Sequence, residues 1–325
     1  MSAPGRSQAL DKERVARKGS PMSQRGSAAP PAGAPAAERR RRRVAASYGP
    51  NPWQQTQWDG RAAANFIGGG CGAGLIVCAT LAGAPPGLLL AGVFCVGAGL
   101  FCVWLEIGRP LRALHVFFNP FSSWMSREAF VATLLLPLAL LAALEWATLA
   151  LPAAALALAY LFCQSRMLRA ARGIPAWREP WLQPLIWTSG LAEGAGLLAL
   201  LDPAWAASAR GAGIGFAVLL VLRAAAWLGY RRRIGAGAAP RALAALDAAG
   251  RRLLLGATLL PLLALPLTLM LAASGIAAPL QFFLFASAGL LAWAGGAWFK
   301  FVLVTRAGFN QGFALSHLPV RGVPR

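Results

Sequence analysis

Acidic residues are scarce in this sequence, and their scarcity restricts what the protein can be. Asp and Glu together number 11, whereas Lys and Arg number 31. Charged residues make up 13% of the chain, about half of the roughly 25% usual in soluble domains. The charges are clustered, and long stretches contain none, which is typical of an integral membrane protein. The arginines flank apolar segments and no RNA-binding motif accompanies them, so we expect no nucleic-acid partner.

The few histidines and cysteines are not placed to hold a metal cofactor. His115 and His317 both fall outside the apolar segments, whereas a b-type haem in a helical bundle needs axial ligands inside it. This excludes a bis-histidine cytochrome b, and we expect no haem. The cysteines form no CxxC pair and all lie in apolar segments, so we expect them to pack as small hydrophobes and predict no metal site. The cysteines are Cys71, Cys78, Cys95, Cys102 and Cys163.

Long apolar runs dominate the rest of the chain. Hydrophobic residues make up 57% of it and the mean hydropathy is +0.55. A membrane-spanning helix needs about 20 consecutive apolar residues. We therefore predict an all-α integral membrane domain over residues 48–325, with eight transmembrane helices in two four-helix bundles. The predicted spans are residues 63–83, 87–107, 128–149, 151–169, 182–201, 211–230, 252–273 and 280–304.

The arginines alternate between loops and so predict the orientation of the spans. Residues 1–47 form a basic tail rich in Arg, Ala, Pro, Ser and Gly, which we expect to be disordered. Arginines recur after the second, fourth, sixth and eighth spans, and the intervening loops are nearly bare. By the positive-inside rule, the arginine-rich side is cytoplasmic. We therefore expect a multi-pass protein of the cell inner membrane with both termini in the cytoplasm.

Four ionisable residues in or near the predicted helices stand out, and one of them, Glu106, ends the second span. Glu193 and Arg223 lie near the middle of the fifth and sixth spans, where a charge costs at least about 2.5 kcal/mol on insertion scales. Their similar depth predicts a mutual ion pair, either as part of a proton path or polar cavity or as a structural link between two helices. Lys300 lies near the cytoplasmic end of the last span, and we expect it to snorkel to the interface.

Polar and charged residues concentrate in the segment after the second span. Ser126 is predicted to cap the third helix, with Glu128 in its first turn. The remaining polar groups exceed what a connecting loop needs, and an apolar slot behind them would suit the head group and tail of a quinone. These groups are Glu106, Arg109, Arg112, Asn119, Trp124 and Arg127.

Two motifs on the arginine-rich side resemble signatures of a known family. Gly-Arg-Pro-Leu-Arg-Ala at residues 108–113, followed by Ser-Ser-Trp-Met-Ser-Arg-Glu at residues 122–128, resembles the signature of the DMSO reductase membrane anchor family. This family is related to the polysulfide reductase, NrfD-like anchors. Arg-Gly-Ile-Pro-Ala-Trp at residues 172–177 is similar to the family's second signature. The resemblance covers all eight predicted helices, about residues 50–325.

The resemblance implies a function and a set of partners. Members of this family are haem-free anchors that hold a molybdopterin catalytic subunit and an iron–sulfur subunit of the four-cluster ferredoxin type. They exchange electrons with a membrane quinone, either menaquinone or ubiquinone. The resemblance therefore implies that this chain is a quinone-reactive subunit of an oxidoreductase complex. The implied quinone-binding residues are Glu106, Arg109, Arg112, Trp124 and Arg127, and the implied docking residues are Arg172, Trp177 and Arg178.

One departure from the family pattern affects the implied quinone site. Many members carry His-Leu-Gly where this sequence has Glu106-Ile107-Gly108, and that histidine is implicated in quinol binding. A carboxylate at Glu106 can still exchange a proton with a quinol. Residues 48–55, 65–70 and 308–313 resemble anchors of phenylacetyl-CoA:acceptor oxidoreductases, whose acyl-CoA substrate would meet the predicted cytoplasmic face.

Other interpretations of the sequence remain open. A secondary transporter would use Glu193 and Arg223 as an intramembrane site among Gly- and Pro-interrupted helices, although no clear inverted repeat is visible. A purely structural anchor would lack a quinone site. Arg109 and Arg112 are as well suited to docking the iron–sulfur subunit as to binding quinone.

Overall fold

Helices make up nearly all of the structure. The computed structural model describes residues 52–107, 110–207, 210–273 and 278–312. Of these residues 84% are helical and none belongs to a strand. Eight helices within the described ranges are long and apolar enough to cross a membrane. The prediction of an all-α, multi-pass membrane protein is therefore confirmed, whereas the predicted tail at residues 1–47 lies outside the described residues and the two-bundle arrangement stays a prediction.

The candidate spans are connected by tight turns or by short helices. A 3₁₀ helix, Pro110–Phe118, precedes the third span. Short α-helices, Pro175–Arg178 and Pro203–Ala207, precede the fifth and sixth spans. In chain order the spans are α1 (Gly60–Ala82), α2 (Gly87–Glu106), α3 (Trp124–Leu144), α4 (Ala147–Ala170), α5 (Leu182–Leu201), α6 (Gly211–Ile234), α7 (Pro240–Thr268) and α8 (Pro279–Thr305).

Helix α3 begins one turn earlier than the sequence predicts. Ser123, rather than Ser126, is its N-cap, and the Ser123 side chain accepts a hydrogen bond from the Ser126 backbone N–H at 3.3 Å. The prediction of Ser126 as the cap is therefore wrong, because an equally good capping residue lies three positions upstream. The earlier start places Glu128 beyond the first turn, where it is buried among neighbouring helices.

Helix α7 also begins earlier than predicted, at Pro240 rather than near residue 252. Its first part is amphipathic: Leu246 and Leu253 are buried, whereas Arg241 and Arg251 are exposed. A 20-residue search for apolar runs misses such a segment, because its polar face lowers the average. A π-helical turn, Leu255–Leu259, interrupts α7 near its middle.

Helices α1 and α5 form the centre of the bundle. In the most apolar window of α1 78% of residues are buried, and in that of α5 67%, compared with 28 to 39% for the other six spans. Both central helices are rich in glycine where they meet. A Cβ atom on Gly74 of α1 would overlap the carbonyl of Gly190, and one on Gly194 would overlap the backbone of Gly74. The two backbones therefore touch directly, the arrangement that small residues permit in membranes.

Substitution of Gly74 should test this contact. Gly74→Ala should lower the midpoint of thermal unfolding of the detergent-solubilised full chain, because the added methyl group must separate α1 from α5, at a cost of about 1–3 kcal/mol. Gly97→Ala on α2 is the matched control, because nothing lies within 4 Å of the position of its Cβ. The control should be neutral or slightly stabilising, since Ala favours helix over Gly. Equal midpoints for the two variants would contradict the close packing.

Candidate functional site

A cavity of about 500 Å³ lies where the beginnings of α1 and α3 meet the end of α2. The 3₁₀ helix Pro110–Phe118 forms another side of it, and Met167 of α4 contributes to the lining. Its walls combine apolar and polar side chains. The apolar ones include Phe66, Leu100, Val103 and Val116, and the polar ones include Asn65, Glu106, Arg112, His115, Asn119, Ser123, Ser126 and Glu128.

Glu128 is the most deeply buried carboxylate of the cavity. It is 3% exposed, and its Oε1 accepts a hydrogen bond from Asn65 Nδ2 at 3.2 Å. The Tyr160 hydroxyl donates to Asn65 Oδ1 at 3.3 Å, and Gln164 Nε2 donates to the Asn65 carbonyl at 3.0 Å. Three helices, α1, α3 and α4, therefore hold this carboxylate in a network of neutral polar groups with no cation as a direct partner in the described structure. Such a group can take up or release a proton at the cavity wall.

The structure brings two of the predicted quinone-binding residues to this cavity. Glu106, partly exposed at the end of α2, and Arg112, exposed on the 3₁₀ helix, both line it. Arg109 lies outside the described residues. Asn119, which the sequence analysis grouped with these residues, also lines the cavity.

Trp124 and Arg127 lie beside the cavity and have structural contacts instead. The Arg127 guanidinium stacks 4.1 Å from the centre of the Trp124 ring, and Arg166 lies over the same ring at 4.8 Å. Arg127 also donates to the carbonyls of Pro120 and Phe121, at 2.8 and 2.7 Å. Neither residue is among the described residues that line the cavity. These contacts fix the loop before α3, so their predicted role in quinone binding gains no support from the geometry.

Asn65 and His115 were not predicted to belong to this site, and Glu128 was predicted only as a residue of the first turn of α3. Asn65 is 3% exposed in an otherwise apolar helix. A polar residue within a membrane span is a candidate functional residue by default, because burying it costs free energy. That signal was present in the sequence for Asn65, whereas the burial of Glu128 depends on the early start of α3.

The predicted ion pair between Glu193 and Arg223 is replaced by a different one. Lys300 Nζ lies 2.8 Å from Glu193 Oε2, and both side chains are fully buried. The expectation that Lys300 snorkels is therefore wrong. Two glycines leave room for this pair. A Cβ atom on Gly70 would overlap the Lys300 ammonium, and a Cβ atom on Gly296 would overlap the Glu193 carboxylate.

Arg223 is held by backbone carbonyls and a hydroxyl in the described structure. It donates to the Ala292 carbonyl at 2.9 Å, to the Ala257 carbonyl and to Thr258 Oγ1 at 3.2 Å. Ala257 and Thr258 belong to the π turn of α7, a distortion of the helix that is frequent at functional sites. Arg223 is close enough to interact electrostatically with Glu193 but makes no direct ion pair with it among the described residues.

The predicted docking residues divide into buried and exposed ones. Trp177 is 2% exposed, stacks on Trp58 with ring centres 5.1 Å apart and donates from its indole N–H to the Leu303 carbonyl. It belongs to the core, so its predicted place on a docking surface is wrong. Arg172 is exposed, and Arg178 donates to the Arg172 carbonyl and to Gln311. These two arginines stay candidates for docking.

The segments that flank the first and last spans are joined at this end of the bundle. Gln55 N–H donates to the Gly308 carbonyl at 2.8 Å, and Asn310 N–H donates to the Trp53 carbonyl at 3.0 Å. Asp59 caps α1 and pairs with Arg61, which lowers the pKa of Asp59. The same arginine donates to the Leu105 carbonyl and so ties the start of α1 to the end of α2 beside the cavity.

Comparison with known proteins yields no family assignment. No family model matches the chain, and no curated protein matches it. The resemblance to the DMSO reductase membrane anchor family therefore stays a prediction based on the two motifs.

The buried ion pair between Glu193 and Lys300 is expected to contribute to the stability of the folded chain. Lys300→Met should lower the free energy of unfolding in detergent by about 3–5 kcal/mol, because it leaves Glu193 without its direct partner in the interior. The double variant Lys300→Met/Glu193→Gln should recover much of this loss. Arg233→Met is the control, since its pair with Glu179 is half-exposed and should contribute little. A single variant as stable as the wild type would show that Glu193 does not depend on Lys300.

Proposed function

We propose that this chain is the membrane anchor and quinone-reactive subunit of a molybdopterin oxidoreductase complex. It passes electrons between an iron–sulfur subunit and a membrane quinone. The observation that carries the proposal is the cavity at the end of the bundle, where a buried carboxylate, Glu128, and a partly exposed one, Glu106, both line a space with apolar walls. Both parts of the first signature-like motif contribute to this same cavity, residues 108–113 through Arg112 and Ala113, and residues 122–128 through Ser123, Met125, Ser126 and Glu128.

The cavity suits a molecule with a flat polar head and an apolar tail. Its volume of about 500 Å³ falls in the range of roughly 300–1,000 Å³ found for small-molecule sites. Phe66, Leu100 and Val103 provide apolar surface, while Asn65 and Glu128 provide a hydrogen-bonding wall. A quinone carries oxygens on its ring and a hydrocarbon chain. The hydrogen-bonding wall would bind the oxygens, and the apolar surface would contact the ring and the chain.

The two carboxylates divide the proton chemistry between them. Oxidation of a quinol releases two electrons and two protons, and reduction of a quinone takes up the same numbers. Glu106, partly exposed at the rim, exchanges a proton with water. Glu128, buried and hydrogen-bonded by Asn65, exchanges the other proton at the inner wall. Arg112, exposed at the mouth, either binds the quinone or docks the iron–sulfur subunit.

The proposal also assigns a membrane and an orientation. The arginine-rich end of α6 lies near the segment that follows α4, since Arg233 pairs with Glu179 at 3.1 Å. By the positive-inside rule this end faces the cytoplasm of a cell with an inner membrane, with both termini on that side. The iron–sulfur subunit would then dock on the cytoplasmic face through Arg172 and Arg178, with the molybdopterin subunit beyond it. An acyl-CoA such as phenylacetyl-CoA is a substrate class compatible with this side.

The alternative interpretations have less structural support. The transporter hypothesis relies on a pair between Glu193 and Arg223, and the structure pairs Glu193 with Lys300 instead. Glu193, Arg223 and Lys300 are all fully buried, and the part of the chain that the structure describes leaves no open substrate path to them. A purely structural anchor would have no function for the cavity. A measurement of quinone binding therefore distinguishes that hypothesis from ours.

Quinone binding can be measured through the tryptophans of the cavity. Trp58 and Trp104 line it, so decylubiquinone added to the full chain in lipid nanodiscs should quench part of the tryptophan fluorescence with a saturable dependence on concentration. Trp104→Phe should reduce the saturable component. Trp298→Phe, which removes a tryptophan stacked with Arg252 and Arg306 away from the cavity, should not. Quenching that is linear in quinone and equal in both variants would exclude a site here.

Substitution of the carboxylates tests the proposed chemistry. Glu128→Gln should weaken saturable quenching about tenfold, the effect of one lost charge-assisted hydrogen bond. Glu106→Gln should slow quinol oxidation by the reconstituted complex about 100-fold. The exposed carboxylate at the other end of α3 provides the control, and Glu145→Gln should change neither quantity. If Glu106→Gln leaves both quinone binding and turnover unchanged, the assigned site is wrong.

A further inference from the structure

Three fully buried amide or charged side chains each carry one polar atom with no hydrogen-bond partner in the described structure. The atoms are Gln164 Oε1, Glu193 Oε1 and Arg223 Nε. Buried polar atoms are nearly always satisfied by protein or by ordered water, because an unmade hydrogen bond in the interior is unfavourable. The three residues lie on three different helices, α4, α5 and α6, so a single local misfit does not explain them together.

The Gln164 amide oxygen and the Lys300 ammonium approach each other at Gly70 of α1. A Cβ on Gly70 would lie against the Lys300 ammonium and 3.7 Å from Gln164 Oε1. The amide oxygen and the ammonium therefore flank the same bare stretch of helix backbone. Lys300 in turn contacts Glu193 at 2.8 Å. An acceptor and a donor separated by a small polar gap are the partners that a buried water molecule requires.

The other end of Gln164 belongs to the cavity network. Its Nε2 donates to the Asn65 carbonyl, and Asn65 donates to Glu128 at the cavity wall. The Tyr160 hydroxyl donates to Asn65 Oδ1, so Tyr160 and Gln164 both belong to the network that holds the Glu128 carboxylate. Polar groups therefore connect the cavity to Gln164. The Lys300 ammonium, which pairs with Glu193, lies next to the same residue of α1, Gly70.

We propose that ordered water between Gln164 and Lys300 joins the cavity to the Glu193–Lys300–Arg223 cluster and forms an internal proton path. Water at Glu193 Oε1 and Arg223 Nε completes the hydrogen bonds of the cluster. Protons then exchange between Glu128 and Glu193 through the Tyr160 hydroxyl and the water. At each oxygen one O–H bond breaks as the next forms. At Lys300 the ammonium gives a proton to Glu193 Oε2 and takes one from the water, so one N–H bond breaks as another forms and no electrons move.

Charge balance permits a proton on Glu128 to move to Glu193. Glu128 and Glu193 together balance Lys300 and Arg223 when all four are ionised. Transfer of a proton from Glu128 to Glu193 leaves the summed charge of the four groups unchanged, so the transfer adds no charge to the medium of low dielectric constant. A quinone in the cavity separates Glu128 from bulk water, and Glu193 is then the carboxylate with which Glu128 exchanges the proton. This role in quinol oxidation rests on the proposed function, whereas the water junction itself does not.

Radiolytic footprinting of the full chain in nanodiscs tests the junction without any quinone. X-ray pulses split bound water into hydroxyl radicals that oxidise adjacent side chains, even buried ones, and mass spectrometry locates the products. Tyr160, which is fully buried and packs beside Gln164 at Gly69, should be oxidised. Tyr230, equally buried but bonded to the Ala176 carbonyl, is the internal control and should be oxidised far less.

Two neighbouring substitutions make the test specific. Gln164→Leu should reduce oxidation of Tyr160 about tenfold, as expected when one buried hydrogen bond that holds the water is removed. Ser165→Ala is the matched control, because Ser165 is equally buried on α4 but bonds only to the Phe162 carbonyl of its own helix in the described structure. Equal oxidation of Tyr160 in the two variants, or none in the wild type, would overturn the water junction.

Turnover distinguishes a proton path from a structural water. In the reconstituted complex Gln164→Leu should slow decylubiquinol oxidation about tenfold, whereas Ser165→Ala should not. Loss of Tyr160 oxidation with unchanged turnover would overturn the proton path. Failure of the proposed function has a different signature, since the wild-type chain would then show no saturable quenching by decylubiquinone while its footprint stayed as described.

Discussion

The packing of this bundle is constrained by the need to keep two buried charges, Glu193 and Lys300, paired in an apolar interior. Two charges lie 2.8 Å apart with no exposed surface, in helices that otherwise present apolar side chains to lipid. Such a pair is tolerated in a medium of low dielectric constant only when both members stay close and keep their remaining hydrogen bonds. Gly70 and Gly296 supply the room, because any larger side chain would occupy the space of the ammonium or the carboxylate.

Helix α1 links the ion pair to the cavity. Helix α1 carries Asn65 at the cavity wall and, less than two turns further along, the bare backbone at Gly70 beside Lys300. At about 1.5 Å per residue, these positions differ by roughly 8 Å in depth. One helix therefore brings a site open at the end of the bundle within reach of a charged cluster near its middle. A substitution that moves α1 is expected to affect both.

Sequence patterns predict the spans well and the contacts between them poorly. Apolar runs locate the eight helices to within a few residues, except at α3 and α7, because lipid requires the backbone of each span to be satisfied within its own helix. The partner of Glu193 could not be found in this way, since Lys300 lies 107 residues away and is oriented by two glycines. Trp177 was misassigned for a similar reason: its motif indicates a loop after α4 but not that this loop folds back onto Trp58. At the cavity, Glu106 and Arg112 were predictable from the density of polar residues in one segment, whereas Asn65 comes from a different helix.

The central claim is that a quinone occupies the cavity between α1, α2 and α3. Photolabelling of the full chain in lipid nanodiscs with an azidoquinone, followed by peptide mapping, tests it most directly. The account predicts adducts on the cavity-lining stretches that contain Asn65, Trp104 or Glu128, and competition by unlabelled quinone. Adducts confined to lipid-facing positions such as Leu222 on α6 and Leu263 on α7, with no competition, would contradict it.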